Sequence, residues 1–157
     1  MKSMHWFFAM MARMKYIERW ALMRNVDKEN ISEHSLEVAM LAHGLAIIAR
    51  EKCNREIEPN EVALMGIYHD ANEIITGDMP TPVKYYDSDI QEAYRRVENV
   101  ASHTLINKLP KYMKTYYEPL FFQTESKAYE WRIVKAADKL SALIKCREEL
   151  RSGNQEF

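Results

Sequence analysis

Ser32-Glu33-His34-Ser35-Leu36-Glu37-Val38-Ala39-Met40-Leu41-Ala42-His43-Gly44-Leu45-Ala46-Ile47-Ile48-Ala49-Arg50-Glu51-Lys52 is the stretch that decides the fold. Ser32 can cap a helix N-terminus and Glu33 places an acid in its first turn, where the helix dipole favours it. Counted from His34, the residues Val38, Leu41, Leu45 and Ile48 fall four, seven, eleven and fourteen positions on, one apolar stripe at helical period. The pattern predicts a helix to about Lys52 with His34 at the head of an inward-facing stripe. An imidazole there needs a partner.

The same period recurs on both sides. Residues 5–14 have helical character, and six of the ten methionines lie within the first 23 residues, a soft apolar surface that suits core or a subunit interface. Pro59 stands at the first position of a second helix, with Glu61 in its first turn and Val62, Leu64, Met65 and Ile67 leading to His69-Asp70; it is expected to run to about Ile75 and stop before Gly77. Ser88-Asp89-Ile90-Gln91 reads as a capping box opening a helix with Ile90, Tyr94, Val97 and Ala101 on one face. Tyr112 to Phe122 forms a short helical segment between Pro110 and Thr124-Glu125-Ser126. A last helix, about Glu125 to Arg151, carries Ile133, Ala137, Leu140 and Ile144, with Asp138 beside the stripe. No alternating run reads as a strand, so the expectation is an all-α bundle of five to seven helices.

Composition agrees. At 157 residues the chain is sized for one domain, and nine Gly and Pro together are few. Twenty-two basic against twenty-three acidic residues give a net charge of −1, which excludes a basic carpet on a nucleic acid polymer or an acidic membrane. Cys53 and Cys146 lack metal-site or disulfide spacing and read as free thiols of a cytoplasmic protein. The apolar run at residues 6–12 is cut short by Arg13 and Lys15, so neither a secretory signal nor a membrane span is expected.

The chemistry gathers where apolar stripes carry polar residues. His34, His69, Asp70 and Asp138 each lie on or next to a predicted buried face, and a divalent cation would satisfy all four. Two nitrogens and two carboxylates without thiolate suit Mn, Fe, Co or Zn in an open catalytic site. Taken singly, each has a plainer reading: His34 as a helix-terminal histidine, Asp138 as an ion-pair partner of Lys135 or Lys139. Glu73, three residues after Asp70 and four after His69, sits one turn further on the same face and can act as acid or base beside the metal. In Gly77-Asp78-Met79-Pro80-Thr81-Pro82 a helix-stopping glycine and two prolines deliver Asp78, a second free carboxylate, and the Thr81 hydroxyl to the same region, with Lys84 in reach. Arg19 and Trp20 pair a cation suited to phosphate with a large ring; from the residues alone they read as surface charge and core.

His34, His69-Asp70 and Asp138 reproduce the H…HD…D pattern of the HD-domain metal-dependent phosphohydrolases. Arg19-Trp20, Leu22-Met23-Arg24-Asn25-Val26, Ser32-Glu33-His34-Ser35-Leu36, Tyr68-His69-Asp70-Ala71-Asn72-Glu73, Thr76 to Tyr85 and Lys135-Ala136-Ala137-Asp138 resemble more closely the bacterial YfbR-type 5'-deoxynucleotidases. The resemblance implies a cytoplasmic, homodimeric enzyme that hydrolyses deoxyribonucleoside 5'-monophosphates with a divalent cation, Co or Mn before Mg, Zn or Fe. It implies that His34, His69, Asp70 and Asp138 hold the metal, that Glu73 is the acid/base, and that Asp78 assists at the leaving oxygen. It further implies that Arg19 orients the phosphate, and that His34, Asp70, Asp138, Lys84, Trp20 and Asp78-Met79-Pro80-Thr81 contact the nucleotide. Trp20 would exclude ribonucleotides by occupying the space of the 2'-OH. Family members continue beyond the position of Phe157 with further helix, so residues 1–157 are expected to form one HD unit without it. The alternatives are another HD chemistry, on a nucleoside triphosphate, cyclic dinucleotide or alarmone, and a non-catalytic nucleotide-binding protein.

Overall fold

The computed structural model describes residues 6–157. Eight α-helical segments follow one another: α1 Phe7–Met11, α2 Ile31–Cys53, α3 Pro59–Tyr68, α4 Glu73–Thr76, α5 Thr81–Lys84, α6 Ser88–Ile106, α7 Lys111–Phe121 and α8 Ala128–Arg151. Five of them reach ten residues or more, as a five-to-seven-helix bundle requires, and among the described residues no sheet forms. No described helix is long and apolar enough to cross a membrane. The start of the first predicted helix, at His5, lies outside the described residues, as do Met1 and Met4; Met10, Met11 and Met14 pack into the core.

α2 is the hub, packed on both α3 and α8. Its buried seam is built from Val38, Ala42, Ala46 and Ala49, facing Val62 and Met65 of α3 and Trp131, Val134 and Ala137 of α8. This shifts the expected stripe. Leu41 and Leu45 pack only on its flank and Ile48 is 55% exposed, because two neighbouring helices approach too closely for side chains of leucine or isoleucine size between them. Gly66 shows how close: a Cβ there would stand 2.8 Å from the Ala39 Cα. Likewise Val97 and Leu140 turn outward, at 51% and 39% exposure, while Tyr94 and Ala101 of α6 and Ala137 of α8 are buried.

Local chemistry corrects several boundaries. Asn30, not Ser32, caps α2: its side chain accepts from Ser32 N and Glu33 N, and Glu33 reaches back to Asn30 N. Asp87 rather than Ser88 caps α6, accepting from Ile90 N. The α8 helix begins at Ala128, after a 3₁₀ turn at Glu125–Lys127. The helix expected from Pro59 to Ile75 is broken after Tyr68 by a turn through His69–Asn72 and resumes as α4; Gly77, at φ 73°, then ends it. That break presents His69 and Asp70 inward together, which adjacent positions on a continuous helix, about 100° apart, would not do. The supposed loop is also half helix, since Thr81 opens α5.

Residues 19–29 form a loop closed at its neck. Ile31 N donates to Ile17 O at 3.0 Å and Arg19 N to Glu29 O at 2.9 Å.

Candidate metal centre

His34, in the first turn of α2, is 1% exposed. Its Nδ1 lies 3.1 Å from Ser141 Oγ, and the Ser141 hydroxyl is 2.6 Å from Glu37 Oε2. A carboxylate only accepts, so Ser141 donates to Glu37 and accepts from His34, which places the ring proton on Nδ1. His69 reaches the same state by another route, with Nδ1 2.8 Å from the Gly66 carbonyl, which also only accepts. Both rings therefore commit Nδ1 to donation and aim Nε2 into the same small space.

Two carboxylates already face it. His34 Nε2 is 3.1 Å from Asp138 Oδ1 and 3.6 Å from Asp70 Oδ2, and His69 Nε2 is 3.0 Å from Asp70 Oδ2. Neither Nε2 has a hydrogen-bond partner, and all four candidate ligand atoms lie within 4.8 Å of one another. Nitrogens and anionic oxygens converging out of water need positive charge between them, from a cation or, without one, from protons on the rings. The donor set, two imidazole nitrogens and two carboxylate oxygens oriented from behind, fits a divalent cation with open positions.

The electrostatics carry the same signature. Burial opposes the charge on Asp70, but His69, then His34 and Arg19, outweigh it and hold its carboxyl well below the ordinary range. Burial also opposes the charge on Asp138, yet His34 draws its carboxyl down. Burial would lower His69, and Asp70 more than reverses this. Glu73 goes the other way: burial, then the charges of Asp70 and Asp78, push it up to about 10 against the pull of Arg19 and Lys84. At 7% exposure with Oε2 unpartnered, it is a buried carboxyl beside the four candidate ligands and not among them.

Arg19 is not the surface charge that its sequence context suggests. Its side chain is 12% exposed, with Nε 3.2 Å from Glu29 Oε2 and Nη1 3.7 Å from Asp70 Oδ2. Trp20 is half-buried and has φ 61°, a left-handed conformation that bulky residues rarely adopt. Its Nε1 donates to Glu29 Oε2 at 2.8 Å, and its backbone N–H donates to Asp78 Oδ2 at 3.2 Å. Asp78 is thus not a free carboxylate; it ties the 77–80 segment to Trp20. Lys84 is paired with Glu98 at 2.7 Å, and its charge still reaches Glu73.

A cleft of about 720 Å³ opens over the centre, lined by His69, Asp70 and Asp138 together with Lys84, Arg95 and Lys135. Its size and cationic side chains suit a small phosphate ester. Arg19, Trp20, Asp78, Met79, Pro80 and Thr81 do not line it, and Thr81 is exposed. The sequence reading missed Ser141, Glu37, Glu29 and Arg95. Ser141 follows Asp138 by three residues and Glu37 follows His34 by three, a helical spacing that marks both as neighbours of a ligand.

A helical bundle that brings a histidine of one helix, a His-Asp turn and an aspartate of another helix to one candidate cation site has the HD-domain fold. Its backbone matches an HD-domain phosphohydrolase from Listeria innocua with TM-score 0.81 at 24% identity, over 97% of this chain and 72% of that one. The chain belongs to the YfbR-like 5'-deoxynucleotidase family, whose model matches residues 6–157. A 5'-deoxynucleotidase of Erwinia tasmaniensis is 50% identical over 151 residues, 96% of this chain and 76% of the relative. A 5'-deoxynucleotidase YfbR of Salmonella paratyphi B is 48% identical over 157 residues, all of this chain and 78% of the relative. Membership makes this chain a 5'-deoxynucleotidase, a phosphoric monoester hydrolase of deoxyribonucleoside 5'-monophosphates.

Proposed function

We propose that His34, His69, Asp70 and Asp138 hold one divalent cation, Co or Mn before Mg, Zn or Fe, and that the residues around it divide the hydrolysis of a deoxynucleoside 5'-monophosphate among them. The observation that carries the reading is the pair of inward, unpartnered Nε2 atoms facing two carboxylates. A cation held there supplies Lewis-acid polarisation of the phosphoryl group and an acidified water. Arg19, held by Glu29, presents its guanidinium beside Asp70 to the phosphate oxygens and stabilises charge that builds as the ester bond breaks. Glu73 holds a proton beside the ligands and gives it to the departing 5'-oxygen.

Trp20 acts on the sugar. Its indole is fixed at Nε1 and its backbone at N, so the ring cannot swing aside for a 2'-hydroxyl, and Asp78 serves the reaction by holding it. Met79, Pro80, Thr81 and Lys84 complete the nucleotide contacts in this reading, and His34, Asp70 and Asp138 touch the phosphate through the site they build.

The same reading takes the enzyme to be a cytoplasmic homodimer. Free Cys53 and Cys146 fit a reducing compartment. Leu36, Met40 and Ile47 make an exposed apolar stripe on α2, continued by Leu64 of α3, that suits a second copy of the chain.

A phosphate-release panel over dAMP and AMP with Mn, Co, Mg and Zn tests the assignment. Release from dAMP should exceed that from AMP by about a hundredfold, the reach of a steric gate on one hydroxyl, and Trp20→Ala should erase most of the difference. Near-equal rates in the unaltered protein would sink the role given to Trp20.

A further inference from the structure

The C-terminal half of α8 is the least expected part of the interior. Where an apolar stripe should continue, the inward positions after Ala137 are Ser141, Lys145 and Glu149, and the last two are 6% and 2% exposed. Burying an ion pair is costly, and such a pair is weak evidence for stability as such. Its partners show what it holds. Glu149 accepts from Val26 N at 2.9 Å, from Asp27 N at 3.2 Å and from Asn154 Nδ2 at 2.8 Å, as well as from Lys145 Nζ. Lys145 Nζ also donates to the Asp27 carbonyl, and Asn154 Nδ2 donates to the Arg24 carbonyl at 2.6 Å. Every one of these loop groups is backbone at residues 24–27, the tip of the loop whose neck is closed at Arg19 and Glu29.

The loop is therefore clamped at both ends, and Trp20 sits between the clamps. Inside it, Met23 N and Asn25 Nδ2 donate to the Trp20 carbonyl at 2.9 and 3.3 Å, so the turn that forces the left-handed backbone depends on where residues 23–27 lie. Ring contacts run the same way: Phe157 lies 5.1 Å from the Trp20 ring, and Lys145 Nζ stands 5.7 Å from the Phe157 ring.

We propose that the buried Lys145–Glu149 pair, with Asn154, is a positioning device for Trp20: it fixes the loop tip from α8, and so sets how strictly the site tells a deoxyribose from a ribose. The proposal rests on the reading of Trp20 as the sugar gate. Lys145 and Glu149 touch neither the nucleotide nor the cation in this scheme. They act through residues 24–27, and Asp138 and Ser141 on the same helix leave the metal site to be judged separately.

The test uses the full chain as Glu149→Gln, Lys145→Met and Asn154→Ala, beside Trp20→Ala. Two readouts are taken: the ratio of kcat/KM for dAMP to that for AMP, and amide hydrogen exchange over residues 19–29. Midpoints of Mn activation accompany them. In at least Glu149→Gln the loop amides should lose protection and the ratio should fall roughly tenfold, a large part of what one steric gate provides, while the Mn midpoint stays in place. Should Glu149→Gln fail to fold, Lys145→Met and Asn154→Ala carry the same comparison. Unaltered exchange over 19–29 in the folded variants overturns the proposal, as does an unaltered ratio where Trp20→Ala collapses it. If Trp20→Ala itself leaves the ratio intact, the gate reading falls and takes the sugar-selection half of the proposal with it; exchange alone then decides whether the pair holds the loop.

Discussion

Ser141→Ala removes a single oxygen from a side chain that is fully buried, and two groups feel it. Glu37, half-buried, can turn to water; His34, with its side chain 0% exposed, cannot. Its Nδ1–H loses the only acceptor it has within reach, and an unsatisfied buried donor costs about 1–3 kcal/mol. The ring has a cheaper option, which is to move the proton to Nε2. That relieves the orphaned donor and removes the lone pair aimed at the cation site, so the loss is transferred to metal binding. Losses of this kind at the outer partner of a ligating histidine amount to about 10–100-fold in metal affinity. Each tenfold is about 1.4 kcal/mol of metal-dependent stabilisation at fixed metal concentration. Calorimetric Mn titration and thermal melts with and without Mn measure both quantities. The expected result is a midpoint shifted by one to two decades, roughly, with a matching reduction in the metal-induced rise in Tm. Glu37→Gln is the control: the amide oxygen still accepts from Ser141, and the midpoint should move little. A Ser141→Ala protein that melts lower but binds Mn as before would refute the reasoning and reduce Ser141 to packing.

Three further outcomes are expected. Glu73→Gln keeps the shape of the site but cannot transfer a proton, so kcat on dAMP should drop by about 10²–10⁴ with metal affinity retained; single-turnover phosphate release checks it, and full activity would remove Glu73 from the mechanism. Gly66→Ala forces a methyl against the Ala39 backbone and should destabilise the fold by about 1–3 kcal/mol in urea melts, with metal affinity falling too because the Gly66 carbonyl orients His69. Glu149 is held down at about 2, chiefly by its hydrogen bond from Lys145, against an ordinary value of 4.5. A depressed carboxyl contributes its full stability above the ordinary value and loses it as the pH falls toward the folded one, so stability should decline between about 4.5 and about 2, and Glu149→Gln should flatten that part of the pH profile.

The cluster of His34, His69, Asp70 and Asp138 was legible in sequence because its residues break a local rule. Taken singly each place has a plainer reading; imidazole and carboxylate on apolar helix faces at all three places together are what is conspicuous, and helical spacing then marks Glu73. The bundle was legible for the same reason, from period alone. What stayed hidden is what the period does not encode. The alanine seam of α2 escaped because leucine and isoleucine dominate a hydrophobic count, while the closest helix contacts select the smallest residues. The turn at His69–Asn72 escaped because Ala71 and Asn72 carry no helix-breaking chemistry; the break follows from what His69 and Asp70 must face. The clamp on the 19–29 loop joins residues more than a hundred positions apart through backbone groups, and backbone partners leave no residue type to read. Asp78 illustrates the remaining error: its type and place suggested a free carboxylate, and its Trp20 N–H partner became visible only once the chain was folded.

The backbone at Trp20 bears on how such an enzyme can change. A left-handed conformation in a residue this large costs about 1–3 kcal/mol, which glycine at the same position would not incur. Selection for thermal resistance alone would therefore exchange this tryptophan early, and, under the reading of Trp20 as the sugar gate, the gain in Tm would come with a broadened diet of sugars. That reading sets stability against discrimination at one dihedral angle, so a screen that enriches for robust variants of this protein should also be counter-screened on ribonucleotides.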